Sequence, residues 1–505
     1  MNVSTLLNWV ERAGNRLPHP TFLFIYLCFA SLVLSALCAA LGLQATHPVN
    51  GQTITATNLL SRNGLQLILQ NTVTNFTHFA PVGTVLVAIL GIGIAEHSGL
   101  LGTCLRATVL RAPRSLLSFF VVLAGVLSSL AADTGYVVLI PLAAIIYLSA
   151  GRHPIVGIAA AFAGVSGGYS ANLLIGPLDA LLAGISSEAA HLVNSDYQVN
   201  AAGNYYFILV STFVIACVGA WVTDKVISPR FEDVHQDANH KPELEISPLE
   251  RRGLKWVGLF SACFLLLLLL GLLPENGALR DPESHSILHS PFISGIVTII
   301  ALYAGLAGCI FGKLSGSMPN KQAIIEAMEK TMGTMAGYLV LMFFAAQFVS
   351  YFAWSQLGGI MAILGAQSLQ QLQLPATVIL ILFVVMAAFI NLFIGSASAK
   401  WALIAPIFVP MFLLAGISPE ATQMAYRIGD SSTNIITPLM PYFGVVIAFA
   451  QKYRQDVGVG SVMAMMLPYS LAFLCVWSLL LAVWLLLDLP LGPGASALLP
   501  MTPAP

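Results

Sequence analysis

Four ionisable residues stand inside otherwise apolar stretches of this sequence: Asp133, Asp179, Arg427 and Asp430. A charge within a lipid-spanning segment costs at least about 2.5–3.5 kcal/mol on insertion scales, so its default role is functional. Two polar interruptions lie close by, Ser166-Gly-Gly-Tyr-Ser-Ala-Asn172 and Gly429-Asp-Ser-Ser-Thr-Asn434. Backbone groups freed from a helix at such breaks cannot reach water, so they must line a protein cavity or hold a ligand. Half-helix N-termini suit a carboxylate, while freed carbonyls and the Asn172 and Asn434 oxygens suit a small cation. This is binding chemistry and not bond-making: the sequence offers no Ser/His/Asp constellation, P-loop or HExxH pattern. No catalytic residue, metal site or cofactor is expected beyond a coupling H+ or Na+.

Each candidate also has a plainer reading. Arg427 and Asp430, three apart on one helix, can neutralise each other as an intrahelical ion pair or touch a ligand. Asp179, two residues after Pro177, is the preferred proton- or cation-linked carboxylate, with helix capping as its plain alternative, and Asp133 can serve as a cap or an ion-coupling group. Trp401 beside the Ser396-Ala-Ser398 tip offers a ring face and one N–H to an aromatic solute, or else simply packs. Lys400 can hold a carboxylate or snorkel, and it is left outside the core site. Glu96-His97, near a span end before Arg106, is expected at the interface.

The elements that position these residues are membrane spans. The 505 residues are 57% hydrophobic and only 9% charged, with a mean hydropathy of +0.85, whereas soluble chains are about a quarter charged. Runs such as Thr21 to Leu43, Trp256 to Leu273 and Tyr469 to Leu487 suffice to cross a hydrocarbon layer, which takes about 20 apolar residues. Met1 to Pro20 carries Arg12 and Arg16 ahead of a full-length span without a small-residue cleavage pattern, so that span is expected to stay. Scattered basic residues and a net charge of -1 argue against nucleic acid as a partner. The seven cysteines lack CxxC spacing and read as packing residues.

Lys and Arg mark cytoplasmic loops. They concentrate in segments 12–16, 106–114, 225–255, 313–330 and 452–454, plus Arg152, and are sparse in 44–77, 186–204, 274–291 and 355–375. This alternation predicts an all-α membrane protein of nine transmembrane helices plus two re-entrant helical hairpins, with the N-terminus cytoplasmic and the C-terminus outside. Two ordinary spans would satisfy the same signs around the first hairpin. The first half (1–228) holds a cytoplasm-opening hairpin (115–150) and a broken helix (155–185). A cytoplasmic linker (229–252) leads to the second half (253–505), with an outside-opening hairpin (376–415) and a broken helix (421–451).

The halves also resemble each other. Asp133 to Gly164 aligns without gaps on Ser398 to Gly429, pairing Tyr136 with Trp401, Pro141 with Pro406, Gly151 with Gly416 and Pro154 with Pro419. Beyond it, Ser170-Ala-Asn172 matches Ser432-Thr-Asn434. With one hairpin opening inside and the other outside, the copies form an inverted-topology repeat, an architecture of secondary transporters.

At these residues the sequence resembles the p-aminobenzoyl-glutamate transporter (AbgT) family, within the ion-transporter superfamily. The resemblance runs nearly end to end, through Trp9-Val-Glu-Arg-Ala-Gly-Asn15, Phe79-Ala-Pro-Val-Gly83, Gly93-Ile-Ala-Glu-His-Ser-Gly-Leu100, Gly151-Arg-His-Pro154, Ala405-Pro-Ile-Phe-Val-Pro-Met-Phe412 and Leu467-Pro-Tyr469. It implies a homodimer in the bacterial inner membrane and places family site residues on Asp179, Ser398, Trp401, Pro419, Arg427, Asp430 and Pro438, with Asn172 and Asn434 at the breaks. The Asp430-Ser-Ser-Thr-Asn-Ile-Ile-Thr-Pro438 segment looks like the branch described as exporting sulfonamide antimetabolites. The expected function is therefore ion-gradient-driven transport of p-aminobenzoyl-glutamate-like aromatic amides or carboxylates. The alternative is a sodium-coupled dicarboxylate symporter; a channel is separated by saturable uphill flux, and a membrane enzyme lacks a nucleophile and base.

Overall fold

The computed structural model describes residues 20–46, 51, 53–110, 113–130, 135–231, 246–287, 290–437, 440 and 442–499. Asp133 and Pro438, and most of the linker, lie outside the described residues. The described chain is almost wholly helical, apart from a short antiparallel hairpin of β1 (Gln44–Thr46) and β2 (Thr53–Thr55).

The helices are α1 (Pro20–Ala40), α2 (Arg62–Thr77), α3 (Ala80–His97), α4 (Leu100–Leu110), α5 (Leu117–Leu127), α6 (Ile140–Ser149), α7 (Pro154–Phe162), α8 (Pro177–Ala190), α9 (Tyr205–Val222) and α10 (Pro248–Leu272). They continue as α11 (Ile296–Ser315), α12 (Lys321–Thr334), α13 (Ala336–Trp354), α14 (Leu357–Leu372), α15 (Ala376–Asn391), α16 (Ala397–Leu414), α17 (Pro419–Asn434), α18 (Phe443–Gln451) and α19 (Val459–Leu486). Eight stretches among the described residues are long and apolar enough to cross a membrane: 20–40, 62–97, 205–230, 248–272, 296–315, 336–354, 397–414 and 459–486. Seven coincide with expected unbroken spans, and the eighth, α16, is an arm of the second expected hairpin. The two broken spans appear as helix pairs, α7 with α8 and α17 with α18.

Three segments that read as polar connections from sequence are helices instead. α2 continues almost directly into α3, and α12 occupies the basic stretch before α13. In α14, Leu357, Ile360, Ile363 and Ala366 recur every third residue and bury one face, which is a helix signal that a charge-based reading passes over.

The breaks follow local chemistry. After α7 the chain widens into a π turn over Ala163–Gly167, then leaves the helix at Gly168 and re-enters at Pro177, whose missing N–H costs nothing at a first helical position. Gly91 is a close-packing glycine, because a Cβ there would fall 1.8 Å from the Ala301 carbonyl oxygen of α11.

In both halves the helix ahead of the expected tip meets its broken helix in the same manner. A Cβ on Gly164 would lie 2.4 Å from the Val122 carbonyl oxygen of α5, and one on Gly429 2.4 Å from that of Val384 in α15. At the tips, the Asn172 amide donates to Ser129 Oγ at 2.8 Å. The Asn391 amide likewise donates to Asn434 Oδ1 at 2.9 Å. Gly164 with Gly429 and Asn172 with Asn434 are the residues that the alignment of the halves pairs.

Candidate functional site

The polar helix α17 is buried along almost its whole length. Every residue of α17 from Pro419 to Thr433 is buried, including Glu420, Gln423, Arg427, Asp430, Ser431 and Thr433. Buried polar groups cost free energy unless hydrogen-bonded, so each must be met by protein. Along one face, Glu420 accepts from the Tyr197 hydroxyl (2.8 Å) and Gln423 from Ser186 Oγ (2.7 Å). Ser431 Oγ donates to Ser170 Oγ at 2.6 Å, joining the breaks of the two halves directly.

Two buried ion pairs flank that junction. Arg427 Nη1 lies 2.6 Å from Asp179 Oδ1, with the side chains 3% and 7% exposed, and its Nη2 donates to the Ser170 carbonyl. Asp179 Oδ2 accepts the Gly176 N–H at 2.7 Å, so the carboxylate caps its own helix and anchors the guanidinium together. The Arg427 Nε–H is buried without an acceptor among the described residues. Asp430 pairs with Lys400, which also donates to Asn391 Oδ1. Asn391 in turn donates to the Asp430 carbonyl and Thr433 Oγ1.

The intrahelical Arg427–Asp430 pair weighed from sequence therefore does not form. Each residue takes a partner on another element, Arg427 on α8 and Asp430 on α16. Lys400, set aside from sequence, is among the most deeply placed charges. Trp401 is fully buried and stacked on Tyr426, with ring centroids 4.6 Å apart and planes inclined by 26°. Its indole N–H donates to Ser186 Oγ (3.0 Å) and the Leu182 carbonyl (3.3 Å). Ser398 sits half-buried at the tip near Ser396 Oγ, and Pro419 opens α17 two turns, about 12 Å, before Arg427.

Two cavities border α8. One of about 500 Å³ reaches from Glu96 and His97 to Ser129, Tyr169 and Pro177. The other, of about 490 Å³, is lined by Ser187, Glu188, His191 and Glu420. Between them Gly184 meets α3, where an added Cβ would lie 3.0 Å from the Pro81 nitrogen. Glu96-His97 thus lines a vestibule, which its position near a span end did not reveal.

Deeply buried charges, unspent donors and cavities approaching one helix from two ends make an arrangement suited to binding and moving a solute. Residues 5–499 match the model of the AbgT family of transporters. The chain belongs to the AbgT family. It is 38% identical over 489 residues to the p-aminobenzoyl-glutamate transport protein of Escherichia coli (strain K12), covering 97% of this chain and 96% of that protein. It is similar to the YdaH transporter of Alcanivorax borkumensis, with 53% identity, a TM-score of 0.90 and coverage of 94% of this chain and 100% of that one. It is also similar to MtrF of Neisseria gonorrhoeae, described as illuminating a class of antimetabolite efflux pumps, with 47% identity, a TM-score of 0.92 and coverage of 97% and 100%. As a member of the AbgT family, the protein is a helical, multi-span membrane transporter and not an enzyme.

Against that background the residues missed from sequence stand out. Asn391, Tyr426, Gln423, Ser186 and Lys400 complete the polar network. Asn391 had a visible signal, a single amide ending the apolar run of α15 just before the tip.

Proposed function

We propose that this AbgT transporter moves p-aminobenzoyl-glutamate-like aromatic amides and carboxylates, sulfonamide antimetabolites among them, driven by an ion gradient. One observation carries the reading: Arg427 is fixed by Asp179 at the junction of the two breaks, yet keeps a buried Nε–H without an acceptor. A guanidinium held in that way suits a solute carboxylate. The names of the Escherichia coli and Neisseria gonorrhoeae relatives support the substrate class.

In this reading Asn172, Asp179, Ser398, Trp401, Pro419, Arg427, Asp430, Asn434 and Pro438 form the substrate path, and the coupling H+ or Na+ acts at Asp179 or Asp430, with Asp133 in reserve. Trp401 contributes through one ring edge and the rigidity of the tip, since Tyr426 covers a face. The protein works as a homodimer in the bacterial inner membrane, N-terminus cytoplasmic and C-terminus outside, with two tips entering from opposite sides. Counterflow of labelled p-aminobenzoyl-glutamate and of a sulfonamide in proteoliposomes, repeated with each gradient collapsed, tests it. Saturable flux that stops when one gradient is removed is the expected result. Flux of neither solute, or flux indifferent to every gradient, would overturn the proposal; a dicarboxylate transported in sodium alone would favour the symporter alternative.

A further inference from the structure

Lys400 is a charge in an unfavourable place. It lies in the first turn of α16, where the helix dipole repels a cation, and its side chain is only 1% exposed. An ammonium survives such burial only when oxygens surround it. Asp430 and Asn391 Oδ1 supply them, and Asn391 is itself oriented by Asp430, Thr433 and Asn434. These are hard oxygen donors, the kind that hold an alkali cation.

Among the described residues, the charges nearest this pair are held elsewhere. From α17, Tyr426 approaches Asp430 at 3.4 Å, Arg427 is committed to Asp179, and Glu420 is held by Tyr197. From α8, Asp179 is engaged by Arg427, while Glu188 lines the cavity with His191 and Glu420. α14 and α15 carry no titratable residue.

The first half shows the same contact without charge. The alignment that pairs Gly164 with Gly429 places Gly135 opposite Lys400 and, one residue past its end, Val165 opposite Asp430. Gly135 and Val165 do touch, because a Cβ on Gly135 would lie 2.9 Å from Val165 Cγ1. The equivalent positions of the first half thus make this contact without an ion pair.

We propose that Lys400 is a built-in cation: its ammonium takes the place between Asp430 and Asn391 that a sodium ion would take, so the second tip exchanges protons and not sodium. The coupling part deepens the transport reading above and rests on it. When Asp430 takes a proton from water it becomes a neutral acid and Lys400 keeps its own proton. The pair opens, and the tip gains one positive charge for an anionic solute. Loss of the Asp430 proton restores the pair.

The test uses the purified full-length protein and K400A, D430N and K400A/D430N, with thermal unfolding followed in sodium, methylammonium and choline chloride. K400A is expected to be stabilised by sodium or methylammonium over choline beyond any response of the wild type, and the double variant to lose that gain. In proteoliposomes, K400A counterflow of p-aminobenzoyl-glutamate is expected to fall about tenfold or more in choline and to recover with methylammonium. A K400A protein with the wild-type cation response, or a double variant that keeps the extra response, overturns the proposal. Should K400A yield no folded protein, D430N decides: a stranded ammonium makes it less stable than K400A/D430N, and the reverse order sinks the idea. Absence of wild-type counterflow under any gradient would remove the transport reading and leave the thermal comparison to judge Lys400.

Discussion

Replacing Asp179 by Asn changes little in shape and removes one charge from a pair that is almost free of solvent. In the wild type, Oδ1 meets Arg427 at 2.6 Å and Oδ2 meets the Gly176 N–H at 2.7 Å. An Asn can still accept one of these bonds, but its amide N–H then faces the other donor, and the Arg427 charge is left uncompensated. Removing one partner of such a buried pair costs about 3–5 kcal/mol. For a chain of this size that corresponds to a fall of about 5 °C in apparent unfolding temperature. Removing both charges in D179N/R427Q spares the stranded guanidinium, so the double variant is expected to be more stable than D179N alone. Thermal unfolding in detergent reads stability, and proteoliposome counterflow reads transport, which is expected to be lost in both variants. A double variant no more stable than D179N, or D179N as stable as the wild type, would refute charge compensation as the reason the pair is there. Undiminished counterflow in D179N would separately remove Asp179 from the transport path.

Two further outcomes follow from other parts of the molecule. Gly429→Ala places a methyl 2.4 Å from the Val384 carbonyl, and the forced separation of α17 from α15 is expected to cost about 1–3 kcal/mol; an unchanged unfolding temperature would show that the contact yields freely. His153, in the loop before α7, is held below the usual imidazole value of 6.5 by burial and by Arg454, and its Nδ1 accepts the Ile155 N–H at 3.2 Å. The folded state therefore prefers the neutral ring, so stability is expected to fall as pH drops below about 6.5, and His153→Gln should flatten that part of the pH–stability curve.

Much of the architecture was legible because lipid restricts the options. Long apolar runs and the placement of Lys and Arg mark most spans, and adjacent Gly167 and Gly168 mark the first break. α14 escaped because a segment poor in basic residues was read as a connection, although its threefold apolar spacing was present. Partner choice within the site was less accessible. Arg427 and Asp179 are 248 positions apart, while Asp430, three away, offers an equally plain intrahelical partner. Lys400 reads from sequence as either a carboxylate holder or a snorkelling residue, since sequence does not show whether the first turn of a helix lies at the interface or in the interior. Its one signal was a cation at the wrong end of a helix.

Gly164 and Gly429 bring main chain against main chain at the base of each tip, with no side chain interposed to act as a bearing. Neither α5 nor α15 can therefore shift along its broken helix at these points without the backbones first moving apart. The same closeness recurs at Gly184, where α8 meets Pro81 of α3 and a chamber borders each end of the contact.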